Sequence, residues 1–251
     1  DETTTLKFLE EARITSYQNR KNNVNDNINA LALEFFDERA LKFLAKDFSA
    51  IPENAQAAIW FEQESTSDSF DVILEAWNVL MQTHNVNEET AWFAFSDADK
   101  EKIKDFRHAI SWKVNEYVAR NNFRKLGTDV AVPDNVFREF YFTLQNWAKQ
   151  SNIDFVSYGH FGNSHIHLNF LPKNDEEFNE GKKLYKQICE EAVGLGGTIS
   201  AEHGIGKAKR DYLLMMYGEA NIRKMAALKK SLDPNLVLGI GNIFDEKYLK
   251  Q

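Results

Sequence analysis

The sequence predicts an α+β fold: a largely antiparallel sheet with helices packed on one face, built from ferredoxin-like units, with further helices toward the C-terminal end. Three observations predict it. Strand-length apolar runs alternate with amphipathic helical stretches, the pattern of a layered domain. Two such runs flank Gly162-Asn163 as a hairpin, and hairpins belong to antiparallel sheets. Apolar residues make up 43% of 251 residues, with 19 Phe, enough for a substantial core.

Taken in order, Leu6 to Lys21 has helical spacing, with Leu6, Leu9, Ala12 or Arg13, and Tyr17 along one side. Asn22 to Asn27 is a polar loop. Ile28 to Phe36 is a strand, and Asp37 caps a helix through about Lys46. Ala55 to Glu64 is the second strand, Ser65 to His84 an amphipathic helix, and Thr90 to Phe95 a short strand. Ser96-Asp-Ala-Asp99 is an N-cap with an acidic first turn, opening a helix that reaches about Asn121. Leu126 to Val132 is a strand closed by Pro133, and Asp134 caps a helix through Gln150. After the hairpin, Asp175 to Val193 is helical until Gly194 to Gly197 break it. Lys207 to Gly218 and Glu219 to Ser231 are two more helices, and Leu232 to Phe244 is a loop-like tail.

The formal net charge of -8 argues against nucleic acid as a partner, since neutralising phosphates needs a basic surface. No apolar run approaches the roughly 20 residues of a membrane span, and no signal peptide opens the chain. Cys189 is the only cysteine, so no internal disulfide forms. Its helical surroundings make it a small core residue, and a reducing, cytoplasmic compartment is expected. The chain opens on Asp1 and is expected to be an excerpt of a longer polypeptide.

The chemistry gathers around Ser157 to Phe170. Three of the six histidines, His160, His165 and His167, fall here, and His203 follows in Ser200-Ala-Glu-His-Gly-Ile-Gly206. In the returning strand His165, His167 and Asn169 alternate with Ile166, Leu168 and Phe170, so one face is polar and the other apolar. Two imidazoles and a carboxylate are a known open metal-ligand set. His160, His167 and Glu202 are therefore candidate ligands, with His165 as a substitute. Glycines around Glu202-His203 permit close approach by a ligand, and one of the pair can bind metal while the other acts as acid or base. Lys100 to Lys125 is a basic island in an acidic chain, suited to clamping an anionic substrate through Arg107. Ser111 lies one turn on from Arg107, and Lys125 stands just before a strand. No phosphate-binding loop of the Walker type is present.

Three blocks together resemble a known family: Lys125-Leu-Gly-Thr-Asp-Val-Ala-Val-Pro133, Gly159-His-Phe-Gly-Asn-Ser-His-Ile-His-Leu-Asn169 and Gly196-Gly-Thr-Ile-Ser-Ala-Glu-His-Gly-Ile-Gly-Lys207. Leu232-Asp-Pro-Asn235 with Gly241-Asn-Ile-Phe244 is a weaker fourth. The chain resembles the C-terminal cap, or substrate, domain of FAD-linked oxidases of the vanillyl-alcohol-oxidase type. The nearest branch is that of D-lactate dehydrogenase, the glycolate oxidase flavin subunit and D-2-hydroxyglutarate dehydrogenase. The resemblance implies that residues 1–26 lead in from an FAD-binding domain of the same polypeptide and that 27–251 form the substrate domain. It implies oxidation of a D-2-hydroxy acid to a 2-oxo acid, with hydride transfer to FAD and electrons passed to a separate, unidentified acceptor.

By the same resemblance, His160, His167 and Glu202 match ligands of a divalent metal, zinc being expected. His203 matches the base for the C2 hydroxyl. Arg107, Ser111, Lys125 and Asn169, with His203, match substrate contacts. His165 and Asn242 lie in segments that approach the flavin in relatives. There the chain departs from the family pattern: Asn163-Ser164-His165 replaces Asp-Gly-Asn, and Gly239-Ile240-Gly241-Asn242 replaces Asn-Pro-Gly-Lys. The isolated domain is expected to fold without catalysing anything. Peripheral membrane attachment and a homodimer are both compatible with the sequence. Two other readings compete: a metal-dependent hydrolase with a His/His/Glu site, and a non-catalytic binding module on the same fold.

Overall fold

A computed structural model describes residues 1–86 and 88–250. Its elements run α1 (Glu2–Lys21), β1 (Ala32–Asp37), α2 (Glu38–Leu44), β2 (Ala57–Glu62), α3 (Phe70–Thr83), α4 (Asp97–Arg120), β3 (Leu126–Gly127), β4 (Val130–Ala131), α5 (Phe137–Gln150), β5 (Phe155–Gly159), β6 (His165–Phe170), α6 (Asp175–Gly194) and α7 (Arg210–Leu232). Short 3-10 turns punctuate the chain. The strands form one antiparallel sheet in the order β2-β1-β5-β6-β3, with β4 also on β6. The α+β class and the antiparallel sheet are as expected.

One ferredoxin-like unit is present around the hairpin. Strands β3 and β5 both run antiparallel to β6, so they are parallel to each other across it, with α5 as the crossover. A bridge between Ala131 and Thr198 after α6 supplies the last pairing of that unit. Upstream, β1-α2-β2-α3 is an abbreviated counterpart, in which β1 pairs directly with β2.

Helices cover more of the sheet than the single layer expected. Helices α1, α3, α5 and α6 pack on the face carrying Leu33, Phe35, Ile166, Leu168 and Phe170. Helices α2 and α4 lie on the other face, over Phe36, Val156, Ala58 and Trp60. The reason is that β1 and β5 carry apolar side chains on both sides, which a single layer would leave wet. Burying a side chain such as Phe36 stabilises by about 1.5–3 kcal/mol.

Several boundaries moved for identifiable reasons. Residues 28–30 are extended but do not join the sheet, because their backbone bonds are taken by side chains: Asn29 N–H by Gln63, Ala30 N–H by Ser16 and the Ile28 carbonyl by Asn19. Thr90 to Phe95 is not a strand: Trp92 packs its ring edge-on to Phe106 of α4, and Phe93 and Phe95 are exposed. The strand expected over Leu126 to Val132 is interrupted at Thr128-Asp129. Asp134 does not cap α5: its carboxylate accepts from Ser164 Oγ at 2.6 Å and faces Arg13, and a 3-10 turn precedes the helix. The other caps hold. Asp37 accepts from Ala40 N–H at 2.7 Å, and Ser96 with Asp99 forms a capping box. The two C-terminal helices are α7, kinked at Gly218 where φ is 72°. No helix among the described residues is long and apolar enough to cross a membrane.

Candidate active site

The site occupies the stretch of the second sheet face that α2 and α4 leave open. Strand register brings its residues there: Tyr158 pairs with His167 and Val156 with Asn169, so each pair shares a face. Phe36 pairs with Tyr158, which puts Glu34, two residues earlier, on the same face. The expected alternation in β6 is realised: Ile166, Leu168 and Phe170 enter the core, while His165, His167 and Asn169 line the site. Ser164 adopts the left-handed conformation that turns the chain into β6.

Three imidazoles converge on Glu202. His167 Nε2 lies 3.1 Å from its carboxylate, and His160 Nε2 and His203 Nε2 each lie 3.3 Å away. The opposite nitrogens of two rings are held from behind. His160 Nδ1 meets Glu34 at 2.8 Å, and His167 Nδ1 meets the Thr128 carbonyl at 3.3 Å. His167 and His203 stack with centroids 5.0 Å apart and planes 10° apart. His165 is also close, its ring 4.4 Å from His167, but its Nε2 is engaged by Asp129 at 2.9 Å.

The electrostatics separate the histidines. The hydrogen bond to Glu34 raises His160 above the ordinary imidazole value, against some opposition from burial. Burial, reinforced by His165, pushes His167 down to about 4 and keeps it neutral. For Glu202, burial acts upward, but the surrounding imidazoles outweigh it and hold the carboxyl below its usual range. Glu34 is likewise depressed: burial raises it, and His160 and Arg107 together overcome that.

A divalent ion fits this donor set. One ligand atom each from His160, His165, His167 and Glu202 lies within 4.8 Å of the others. Glu34 and the Thr128 carbonyl fix His160 and His167 so that Nε2 faces Glu202, the outer support that metal-binding histidines ordinarily have.

The residues expected to clamp the substrate lie alongside. Arg107 reaches from α4 and donates to Glu34 Oε1 through Nε at 3.0 Å and Nη2 at 2.6 Å, with Trp60 stacked beneath it. Burial raises the Tyr158 hydroxyl above its ordinary value, opposed by Ser111 from the helix and Asn169 from the sheet. Lys125 donates to Asn115 and lies near Gly127, where any Cβ would stand 2.6 Å from Asn169 Oδ1. Asn242 is set apart, in the C-terminal turn, which is tied to the Glu202 loop through Ile243 N–H and the Gly206 carbonyl. A cavity of about 610 Å³ opens beside the cluster, lined by Glu34, Arg107, His160 and Glu202 at one end and by Arg13 and Arg20 on α1.

A family model described as FAD linked oxidases, C-terminal domain, matches residues 18–243. The chain belongs to this family. It is 28% identical over 224 residues to glycolate oxidase subunit GlcD of Bacillus subtilis, covering 84% of this chain and 44% of that protein. It is 28% identical to D-lactate dehydrogenase of Anaerostipes hadrus, covering 84% and 46%, and 27% identical to D-2-hydroxyglutarate dehydrogenase of Stutzerimonas stutzeri, covering 87% and 48%. The chain thus spans about half the length of these relatives. Among solved structures, 4-ethylphenol oxidase from Gulosibacter chungangensis shares the fold, with a TM-score of 0.57 at 14% identity over 86% of this chain and 48% of that one. This FAD-linked oxidase domain thus comes from a family of flavin-dependent oxidoreductases.

Sequence reasoning missed Glu34, Asp129, Tyr158 and Lys209. Glu34 and Asp129 carried a signal, each being a carboxylate inside an apolar run. Their partners lie tens of residues away and only the fold brings them close.

Proposed function

We propose that this domain forms the substrate side of a flavin-dependent dehydrogenase that oxidises a D-2-hydroxy acid, of the D-lactate, glycolate or D-2-hydroxyglutarate type, to a 2-oxo acid. The observation that carries the reading is the convergence of His160, His167 and His203 on Glu202, with Arg107 joined to the same cluster through Glu34. The named relatives support the substrate class. Neither the family model nor those relatives supports the hydrolase or the binding-module reading.

His160, His167 and Glu202 would hold a divalent ion, zinc being favoured by imidazole ligands. Such an ion would supply positive charge near the hydroxyl oxygen, and FAD, held mainly by a further domain of the same polypeptide, would supply the hydride acceptor. The remaining work falls to side chains. Arg107 binds the substrate carboxylate with the guanidinium edge that Glu34 does not use, where Nη1 otherwise meets His108 Nε2 at 3.0 Å, and Lys125 adds charge. Ser111 and Asn169, on either side of Tyr158, provide hydrogen bonds that orient the hydroxy acid. His203, exposed beside His167, takes the C2 hydroxyl proton on its ring. Loss of that proton and of the hydride together makes the oxidation a two-electron step.

The test is to assay the full-length protein on D-lactate, glycolate and D-2-hydroxyglutarate with an artificial electron acceptor, and to measure bound metal with and without His167→Ala. Turnover of one of the three and about one divalent ion per chain, lost in the variant, are expected. No turnover of any 2-hydroxy acid by flavin-loaded protein would sink the reading.

A further inference from the structure

Strands β3 and β4 are separated by two residues, and the second, Asp129, is a completely buried carboxylate. It collects polar groups from three places. Its Oδ1 faces His165 Nε2 at 2.9 Å and accepts from Glu202 N–H at 3.2 Å. Its Oδ2 accepts from His203 N–H at 2.9 Å, from Ser200 Oγ at 2.7 Å and from Lys209 Nζ at 2.8 Å. The Asp129 carbonyl adds a bond from Ala201 N–H at 2.9 Å. Successive peptide N–H groups turned toward one anion form a nest, here occupied by a side chain of the protein itself.

The loop's other backbone ties lie at its ends, where Ser200 Oγ donates to the Gly204 carbonyl at 2.9 Å and Ile243 N–H to the Gly206 carbonyl at 2.9 Å. Ala201, Glu202 and His203 are exposed, and Gly204 and Gly206 follow with φ of 73° and 53°. A glycine-flanked loop with no buried side chain at its tip has many accessible conformations. Only particular ones let Glu202 reach His160 and His167 while His203 stacks on His167.

We infer that Asp129 is a positioning residue for the site, holding the Glu202-His203 backbone so that the carboxylate of one and the imidazole of the other are presented to the β6 histidines. The inference rests on the roles given to Glu202 and His203 above. Lys209 acts differently, by balancing the buried charge of Asp129. An unpaired buried charge destabilises strongly, whereas removing both partners of a buried pair is often close to neutral. That difference separates positioning from simple stabilisation.

The experiment compares full-length wild type, Asp129→Asn and the double variant Asp129→Asn/Lys209→Met. Zn²⁺ affinity is read by competition with a chromophoric chelator, Tm by circular dichroism, and kcat on the accepted hydroxy acid. Asparagine keeps the shape but turns an amide N–H₂ toward peptide donors. Asp129→Asn should lose Tm and about 10–100-fold in Zn²⁺ affinity, the range for outer-shell partners of metal ligands. The double variant should regain much of the Tm but neither the affinity nor kcat. If Asp129→Asn fails to fold, the double variant decides alone. Recovery of Zn²⁺ affinity together with Tm, or wild-type affinity in Asp129→Asn, would overturn the inference. Wild-type protein with no Zn²⁺ affinity would instead overturn the functional reading, and this inference with it.

Discussion

Glu34 and His160 meet at 2.8 Å, carboxylate to Nδ1, and the same carboxylate holds Arg107. One buried group therefore ties the proposed substrate clamp to the candidate metal ligands. Replacing it should disturb both at once. Glu34→Gln is expected to weaken Zn²⁺ binding by about 10–100-fold, as for other outer-shell partners. It should also raise KM for the hydroxy acid, because Arg107 loses the anion that orients it. Chelator competition and steady-state kinetics check the two effects. A change in one without the other would show that Glu34 does not couple them.

Arg107→Ala should weaken substrate binding by about 1.5–3 kcal/mol, the worth of a hydrogen bond to a charged group. Arg107→Lys should rescue poorly, because an ammonium cannot serve Glu34 and a substrate carboxylate with a planar fork. It also cannot stack on Trp60 as a guanidinium does. Steady-state constants on the accepted substrate are the measurement, and unchanged values in Arg107→Ala would remove it from the clamp.

Asp37 yields a pH prediction away from the site. Burial raises its carboxyl from the ordinary 3.8 to about 7, although it accepts from Ala40 and Ser157 N–H. Between those values the folded state keeps a proton that the unfolded state has lost. Stability from this group is therefore present below 3.8 and declines as pH rises toward about 7. Asp37→Asn retains a good N-cap and removes the titration. Its Tm relative to wild type should climb between about pH 4 and pH 7, the interval between the unfolded and folded values, and level off above it. A difference that stays flat across that range would refute the assignment.

Local pattern carried most of the elements into view. Ser96 with Asp99, the Asp37 cap, the kink at Gly218 and the hairpin turn at Gly162-Asn163 all depend on residues within a few positions of one another. The polar face of His165, His167 and Asn169 follows from the two-residue period of a strand. Thr90 to Phe95 failed for the opposite reason: Trp92 packs on Phe106 of α4 instead of joining a strand, a contact that local composition does not encode. Asp134 failed as a cap because Ser164, on a distant turn, claims its carboxylate.

The α+β class and the flavin-linked family were legible in the sequence alone, which also nominated His160, His167 and Glu202 as candidate ligands. Each rests on short-range periodicity or on contiguous motifs. Tertiary structure decided the rest. It placed α2 and α4 on the second sheet face, paired Arg107 with Glu34 across 73 residues, and folded the Glu202-His203 loop onto Asp129, 73 and 74 residues upstream. Those relationships arise from strand register and from the need to pair every buried charge. Both are properties of the assembled sheet rather than of any single segment.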